Sequence, residues 1–520
     1  MSTAFERRVR ALSAPGAADS LRGGRRGIEK ESLRVTPDGY VAATRHPVAF
    51  GSALENRFIT TDYSEALLEF VTPPVTSTWE VIQTLCNIHQ FVFQALDDEL
   101  LWAMSMPCMI RSEADVPLAR YGTSNVGTMK TVYRRGLGYR YGRNMQAISG
   151  IHFNYSLADE FWPVYQALEG SNSAATEFRS AAYLGLVRNV RRFDWLLLYL
   201  FGASPAVCKT FLSGVATNLE EFDYGTLYGP HATSLRMSDI GYQNTTQAVL
   251  NVSANSLEEY IRDLAHAVST PNPDYESIGV KVDGRYRQLN ANYLQIENEF
   301  YSTVRPKRVA RSGERPSEAL RRGGVEYIEL RALDVSPFDP VGISQAHVHF
   351  LEVFLVYCLL MDSPPIDVDE QRDNQRNHVA VATRGREPGL ALMRAGKSVP
   401  LGDWGRELCD RMQSVAALLD AGGQGSYAAA VANQRAAFDD AGRTPSARLL
   451  ADLKTTGQSV FEYAMSLSRD YADYFRSMPS DMNTHFEMLT QESSASMQRQ
   501  SEIEATDELS FEAYLERYFS

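Results

Sequence analysis

At 520 residues the chain is longer than one simple hydrophobic core supports, so one elaborate catalytic domain with additions, or two to three sub-domains, is the expectation. Its net charge of -13 excludes a general polyanion-binding role, nucleic acid included, and suits a cytoplasmic protein. Cys86, Cys108, Cys208, Cys358 and Cys409 are far apart and form no C-x-x-C pair, so neither a zinc ribbon nor a disulfide framework is expected; they read as reduced thiols buried as small apolar residues.

Residues 1–10 lack the apolar stretch of a secretory signal, and residues 11–26 are a Gly-, Ala- and Arg-rich approach to a first strand. Pro37-Asp38-Gly39 predicts a turn that folds this strand back into a hairpin. Residues 79–104 carry apolar side chains at helical spacing, with Ser77 or Thr78 as a cap, and further helices are predicted over 174–201, 256–268 and 344–361. The apolar part of the last, 350–361, is interrupted by Glu352 and is far shorter than the roughly 20 residues that cross a bilayer, so no membrane partner is expected. Residues 121–141, rich in Gly, Tyr and Arg, and 305–324, with seven Arg or Lys before Gly323-Gly324, read as loops. Residues 1–20 read as an N-terminal extension, 21–364 as a catalytic core, and 365–520 as a mainly helical region packed on it, in which 492–501 resembles a linker.

Four strand-like segments carry the chemistry: 27–33, 62–70, 150–155 and 327–331. Alternate strand residues share a face at about 3.3 Å rise per residue, so Glu29 and Glu31 stand side by side, as do Glu329 and Arg331. Asp62 and Glu69, seven apart, fall on opposite faces of a regular strand; a bend or bulge near Tyr63 is needed to aim both inward, and Glu65 competes as a ligand. His152 is either a structural residue or a ligand. Brought into one sheet, these groups form a wall of oxygen ligands with a single imidazole, suited to Mg2+ and a polyphosphate. The chain has no G-x-x-x-x-G-K-[ST] and no strand-anchored G-x-G-x-x-G, so a nucleotide must be held by metals and by Arg or Lys, and 305–314 reads as a phosphate clamp or as a solvated basic loop.

The strings Arg26-Gly27-Ile28-Glu29-Lys30-Glu31-Ser32-Leu33-Arg34, Ile59-Thr60-Thr61-Asp62-Tyr63-Ser64-Glu65-Ala66-Leu67-Leu68-Glu69-Phe70, Tyr121-Gly122-Thr123-Ser124-Asn125, Ile148-Ser149-Gly150-Ile151-His152-Phe153-Asn154, Ile296-Glu297-Asn298-Glu299-Phe300-Tyr301 and Arg305-Pro306-Lys307-Arg308 resemble the bacterial type 1 glutamate-cysteine ligases. The resemblance runs in order from about residue 20 to 365 and is much weaker beyond it. It implies an α+β, glutamine synthetase-like fold, with a curved, largely antiparallel six-stranded sheet forming a funnel flanked by helices. It also implies ATP-dependent joining of the L-glutamate γ-carboxylate to the L-cysteine amine through a γ-glutamyl phosphate, the first step of glutathione synthesis.

By the same resemblance Glu29, Glu31, Asp62, Glu69, His152 and Glu329 hold Mg2+, with Mn2+ as a possible substitute, while Glu65 has no metal role. Tyr133, Arg134, Gln146, Asn154, Arg236, Tyr242, Asn298 and Tyr301 surround the amino-acid substrates, and Lys307 and Arg311 meet ATP. Arg331 is expected to contact the transferred phosphoryl group and Asp62 to accept the amine proton. The partners are then L-glutamate, L-cysteine and ATP, with the chain a monomer. The alternatives are a carboxylate-amine ligase that uses another small amine, and a non-catalytic sensor of nucleotide or glutathione.

Overall fold

The computed structural model describes residues 3–14, 16–241, 250–311, 313–479 and 484–520. Its main sheet contains β1 (Arg25–Val35), β2 (Ile59–Thr61), β3 (Leu67–Val71), β4 (Leu100–Leu101), β5 (Gly150–Ser156), β6 (Val304–Lys307) and β7 (Tyr327–Asp334). Six of these are hydrogen-bonded in the order β6-β7-β5-β1-β3-β2, all antiparallel, and β4 joins the far end of β1. The α+β class and the six-stranded antiparallel sheet expected from the sequence are both present.

Register decides which side chains meet. Glu31 lies opposite Glu69, Glu29 opposite His152, and Glu329 opposite both Asn154 and Arg305. Directly paired residues share a face, so these polar groups collect on one side of the sheet. On the other side Ile28, Phe70, Ile151, Phe153, Ile328 and Leu330 are fully buried. Burying each stabilises the sheet by about 1.5–3 kcal/mol; a slip of one residue would bring them into the polar cavity and the carboxylates into the core.

Lys30 points into that apolar side, where its Nζ lies 2.7 Å from His89 Nε2, and His89 Nδ1 lies 2.7 Å from the Leu85 carbonyl. Burial, reinforced by the Lys30 ammonium, holds the His89 imidazole well below its usual range. Below about pH 6.5 the unfolded chain therefore binds a proton at His89 that the folded chain refuses, and stability falls as pH drops. Urea unfolding between pH 7 and pH 5 is expected to lose up to about 1.4 kcal/mol per pH unit from this group. His89→Gln, which keeps an acceptor for Lys30, should show a shallower loss; equal slopes would remove His89 as the cause.

Helix α1 (Thr78–Ala95) is capped by Ser77, which accepts from the Glu80 amide, but it stops well short of residue 104 because Leu100–Leu101 pairs with β1 instead. Helix α2 (Asn125–Tyr141) replaces the loop expected over 121–141. Its glycines serve close approach rather than turning: a Cβ on Gly127 would lie 2.1 Å from the Tyr121 carbonyl, and one on Gly136 would lie 2.2 Å from Gln295. Helices α3 (Ala175–Phe201) and α4 (Gln345–Leu360) and the helix Leu257–Ser269 follow the expected spans. The basic stretch 305–324 is part of β6, a connection and the helix Pro316–Gly323.

Residues 62–70 are not one bent strand but a hairpin. β2 and β3 are joined through residues 62–66, with the Asp62 amide donating to the Leu67 carbonyl at 3.0 Å. The turn at Pro37-Asp38-Gly39 forms, with Gly39 at φ +83°, yet the chain returns for only one bridge, Val35 to Val41.

Beyond residue 365 the described residues hold helices and one hairpin, Ala391–Arg394 with Lys397–Pro400. Helices Leu401–Leu419 and Ser426–Arg435 pack on α4, and Phe511–Phe519 packs on α2. Residues 492–501, read as a linker, lie inside the helix Thr484–Ala505.

Cys108 and Cys208 form a disulfide with Cα atoms 5.4 Å apart, against the expectation of five reduced thiols, while Cys86, Cys358 and Cys409 are free. The pair is 100 residues apart in sequence, a spacing that carries no local signal. Among the described residues no helix is long and apolar enough to cross a membrane.

Candidate active site

The polar face of the sheet and the inner face of α2 enclose a cavity of about 300 Å3. The strands supply Glu29, Glu31, Glu69, His152, Glu329, Arg331, Arg305 and Lys307, and the connection between β2 and β3 supplies Asp62 and Tyr63. At its centre Glu29, His152 and Glu329 each present a ligand atom, all within 4.8 Å of one another. His152 Nδ1 lies 3.1 Å from Glu29 Oε2, and Asn154 Nδ2 donates to Glu29 Oε1 at 2.9 Å. The Gly150 amide donates to Glu31 Oε2 at 2.6 Å.

The charges are strongly interdependent. Burial and then Asp62 push Glu31 up to about 8, and burial together with Glu29, Asp62 and Glu31 pushes Glu69 well above the usual carboxylate range. Burial alone would raise Glu29, but the hydrogen bond with His152 and the charge of Lys307 outweigh it and lower the group. Glu329 is likewise held well below the ordinary range despite its burial, because Lys307, Arg331 and Arg305 surround it. His152 is lowered by burial and by Arg331, which leaves the imidazole neutral with a lone pair to offer.

The donor set fits a divalent cation. Glu329 Oε2 and Asn154 Oδ1 are buried acceptors without a hydrogen bond, although Arg331 Nη1 lies 3.3 Å from the former. Several carboxylates, mutually repelling and removed from water, ionise together only with positive charge among them. Hard oxygens with one neutral imidazole fit Mg2+ or Mn2+.

Arg236 enters from a buried turn, with Nη2 donating to the Arg331 carbonyl at 3.2 Å and Nη1 lying 3.8 Å from Asp334 Oδ1. Asp334 also accepts from the Ala203 amide at 2.8 Å, Ser204 Oγ at 2.6 Å and Ser234 Oγ at 2.9 Å. It therefore anchors Arg236 from behind without lining the cavity. Asp334→Ala orphans these donors and is expected to cost about 3 kcal/mol of stability, read by urea unfolding; an unchanged midpoint would refute the anchoring.

From α2, residues Tyr133, Arg134, Leu137 and Tyr141 face the cavity, and the Arg134 guanidinium lies 4.5 Å from the Tyr121 ring centroid. Arg134 Nε also donates to the Asp62 carbonyl, which ties the helix to the β2–β3 connection. Gln146, Asn298 and Tyr301 complete the wall.

Asn154 faces a neighbouring cavity of about 550 Å3 on the far side of Glu29, which lines both cavities. Arg311 is exposed and lines neither, and Tyr242 lies outside the described residues. Sequence reasoning missed Tyr141 and Glu299, and singled out Arg305 only as part of the basic run 305–314. Tyr141 Oη donates to Glu299 at 2.6 Å and Arg140 pairs with Glu299 at 2.9 Å. The missed signal was the helical spacing of Tyr133, Leu137 and Tyr141, four residues apart.

A curved antiparallel sheet with a carboxylate-and-imidazole inner face and helices outside is the architecture of glutamine synthetase-like ligases. The chain belongs to the glutamate-cysteine ligase family, whose model matches residues 9–381. It is 50% identical to the glutamate-cysteine ligase of Alcanivorax borkumensis over 99% of both chains. It is also 49% identical to that of Janthinobacterium sp. over 100% of this chain and 98% of the relative. Among solved structures, the Francisella tularensis glutamate-cysteine ligase in complex with AMP superposes with a TM-score of 0.90 at 37% identity, covering 96% of this chain and 97% of that one.

Proposed function

We propose that this cavity carries out the ATP-dependent joining of the L-glutamate γ-carboxylate to the L-cysteine amine, the first step of glutathione biosynthesis, by way of a γ-glutamyl phosphate. The observation that carries this reading is the convergence of Glu29, His152 and Glu329 within 4.8 Å, with Arg331 3.3 Å from Glu329 on the same strand. Such a site can hold a polyphosphate and neutralise charge as a phosphoryl group moves. Glu29, Glu31, Asp62, Glu69, His152 and Glu329 would hold divalent cations, Mg2+ in the first instance, and the metal would supply charge stabilisation to the phosphoryl oxygens.

The remaining roles belong to side chains. A carboxylate is a poor acyl donor, so its γ-oxygen first takes the terminal phosphoryl group of ATP, releasing ADP and creating a competent leaving group. Arg331, whose positive charge is reinforced by Glu329, Glu31 and Glu29 against the cost of burial, contacts that phosphoryl group, and Lys307 supports the chain of phosphates. The larger neighbouring cavity, which shares Glu29, suits the rest of the nucleotide. Arg236 and Arg134 bind substrate carboxylates, with Gln146 and Asn298 supplying further polar contacts, and Tyr133 and Tyr301 form an aromatic slot for the small cysteine side chain, while Asn154 holds Glu29 from the neighbouring cavity. The amine, with an ordinary pKa near 8, must shed a proton before attack, and Asp62 accepts it. Attack on the acyl phosphate then forms the carbon–nitrogen bond and breaks the carbon–oxygen bond to phosphate, which leaves carrying the second proton of the nitrogen.

Phosphate release from purified protein with glutamate, ATP and Mg2+ tests this. It is expected to rise selectively with cysteine and with 2-aminobutyrate over no amine. No stimulation by either would overturn the substrate assignment.

A further inference from the structure

On the outer side of the β2–β3 connection lies a separate cavity of about 420 Å3, lined by Arg45, Arg120, Arg135 and Arg143 together with Glu65 and Thr131. Among the described residues none of the four guanidinium groups has a carboxylate partner: Arg135 Nη1 donates to the Tyr286 carbonyl at 2.6 Å and Arg143 Nη1 to the Val116 carbonyl at 3.5 Å. Glu65 is the one carboxylate in the lining, and its oxygens are occupied by the His46 amide at 3.1 Å and the Arg120 amide at 2.9 Å. Its role is thus to fasten the two rims that carry Arg45 and Arg120. Beneath, the buried Arg34 donates to the Thr44, Arg45 and Glu65 carbonyls and takes up the charge of nearby Glu99.

Four like charges lining one concave surface, in a chain of net charge -13, repel one another, and the nearby acids Glu65 and Glu113 accept from backbone amides rather than from these guanidinium groups. Planar guanidinium forks match phosphate and carboxylate oxygens, and half-buried Arg135 and Arg143 with exposed Arg45 and Arg120 give such an anion both a floor and a rim. We propose that this cavity is a second binding site, for a small polyanion bearing two or more phosphate or carboxylate groups. It is separate from the catalytic cavity, yet it shares α2 and the 62–66 connection with it, so an occupant presses on the same elements that carry Arg134 and Asp62.

Metal-free calorimetry on the full chain tests the proposal, with inorganic pyrophosphate and citrate as separate probes. At least one is expected to bind one-to-one with a dissociation constant below about 1 mM, weakening as salt is added; the tighter probe identifies the phosphate or the carboxylate class. Arg45→Gln combined with Arg120→Gln, both exposed and, among the described residues, with no side-chain hydrogen bond or ion pair to disturb, should weaken that binding at least tenfold. Lys307→Gln in the catalytic cavity should leave it unchanged. Absence of saturable binding by either probe, equal binding to the double variant, or loss in Lys307→Gln would each overturn the proposal.

Discussion

Glu29→Gln is expected to lower kcat by at least about 1,000-fold while leaving the circular dichroism spectrum unchanged. Glu29 is the group shared by both cavities, and its two oxygens meet His152 and Asn154. The substitution keeps an acceptor for Asn154 and the volume of the side chain, so the sheet has no reason to rearrange. What it removes is one negative charge from the set that would hold the cation. Titration with Mn2+ should accordingly show affinity at least tenfold weaker, a readout independent of turnover. Near-normal activity with unchanged Mn2+ binding would take Glu29 out of the metal set.

The acidic strands were legible because a period of two is a strong signal wherever one face is polar and the other apolar. Glu29 and Glu31 on one face, with Ile28 just before them and Lys30 between them both buried on the other, show it directly. What sequence could not supply was register: nothing local indicates that Glu29 meets His152, 123 residues away, or that Glu329 meets Asn154. The resemblance supplied that convergence in advance. The errors share a physical origin. Gly127 and Gly136 suggested a loop, yet both sit in a helix because tertiary contacts leave no room for a Cβ. The disulfide and the buttress from Asp334 to Arg236 are likewise long-range pairings, invisible to periodicity. Glu65 illustrates the converse, since its position beside Glu69 suggested a rival ligand while the turn between β2 and β3 directs it away, toward backbone amides.

Gly150→Ala should lower kcat/KM for glutamate by about 100-fold or more, mainly through KM. A Cβ at this position would lie 1.9 Å from Arg236 Nη2 and 2.4 Å from Cζ, a separation no real pair of atoms sustains. Gly150 opens β5, and its amide is held by Glu31 while its residue pairs with Asp334 on β7, so the backbone is fixed from two sides. Arg236 must therefore yield, and it is gripped by Asp334 and by the Arg331 carbonyl, which leaves no second position with the same partners. The guanidinium would be driven out of line with the substrate carboxylate, a loss felt in binding more than in chemistry. A double-mutant cycle separates this from general damage: once Arg236 is truncated to Ala, adding Gly150→Ala should cost little more, because the atom it collides with has gone. Additive losses in the double variant would show that the glycine acts through the sheet and not through Arg236.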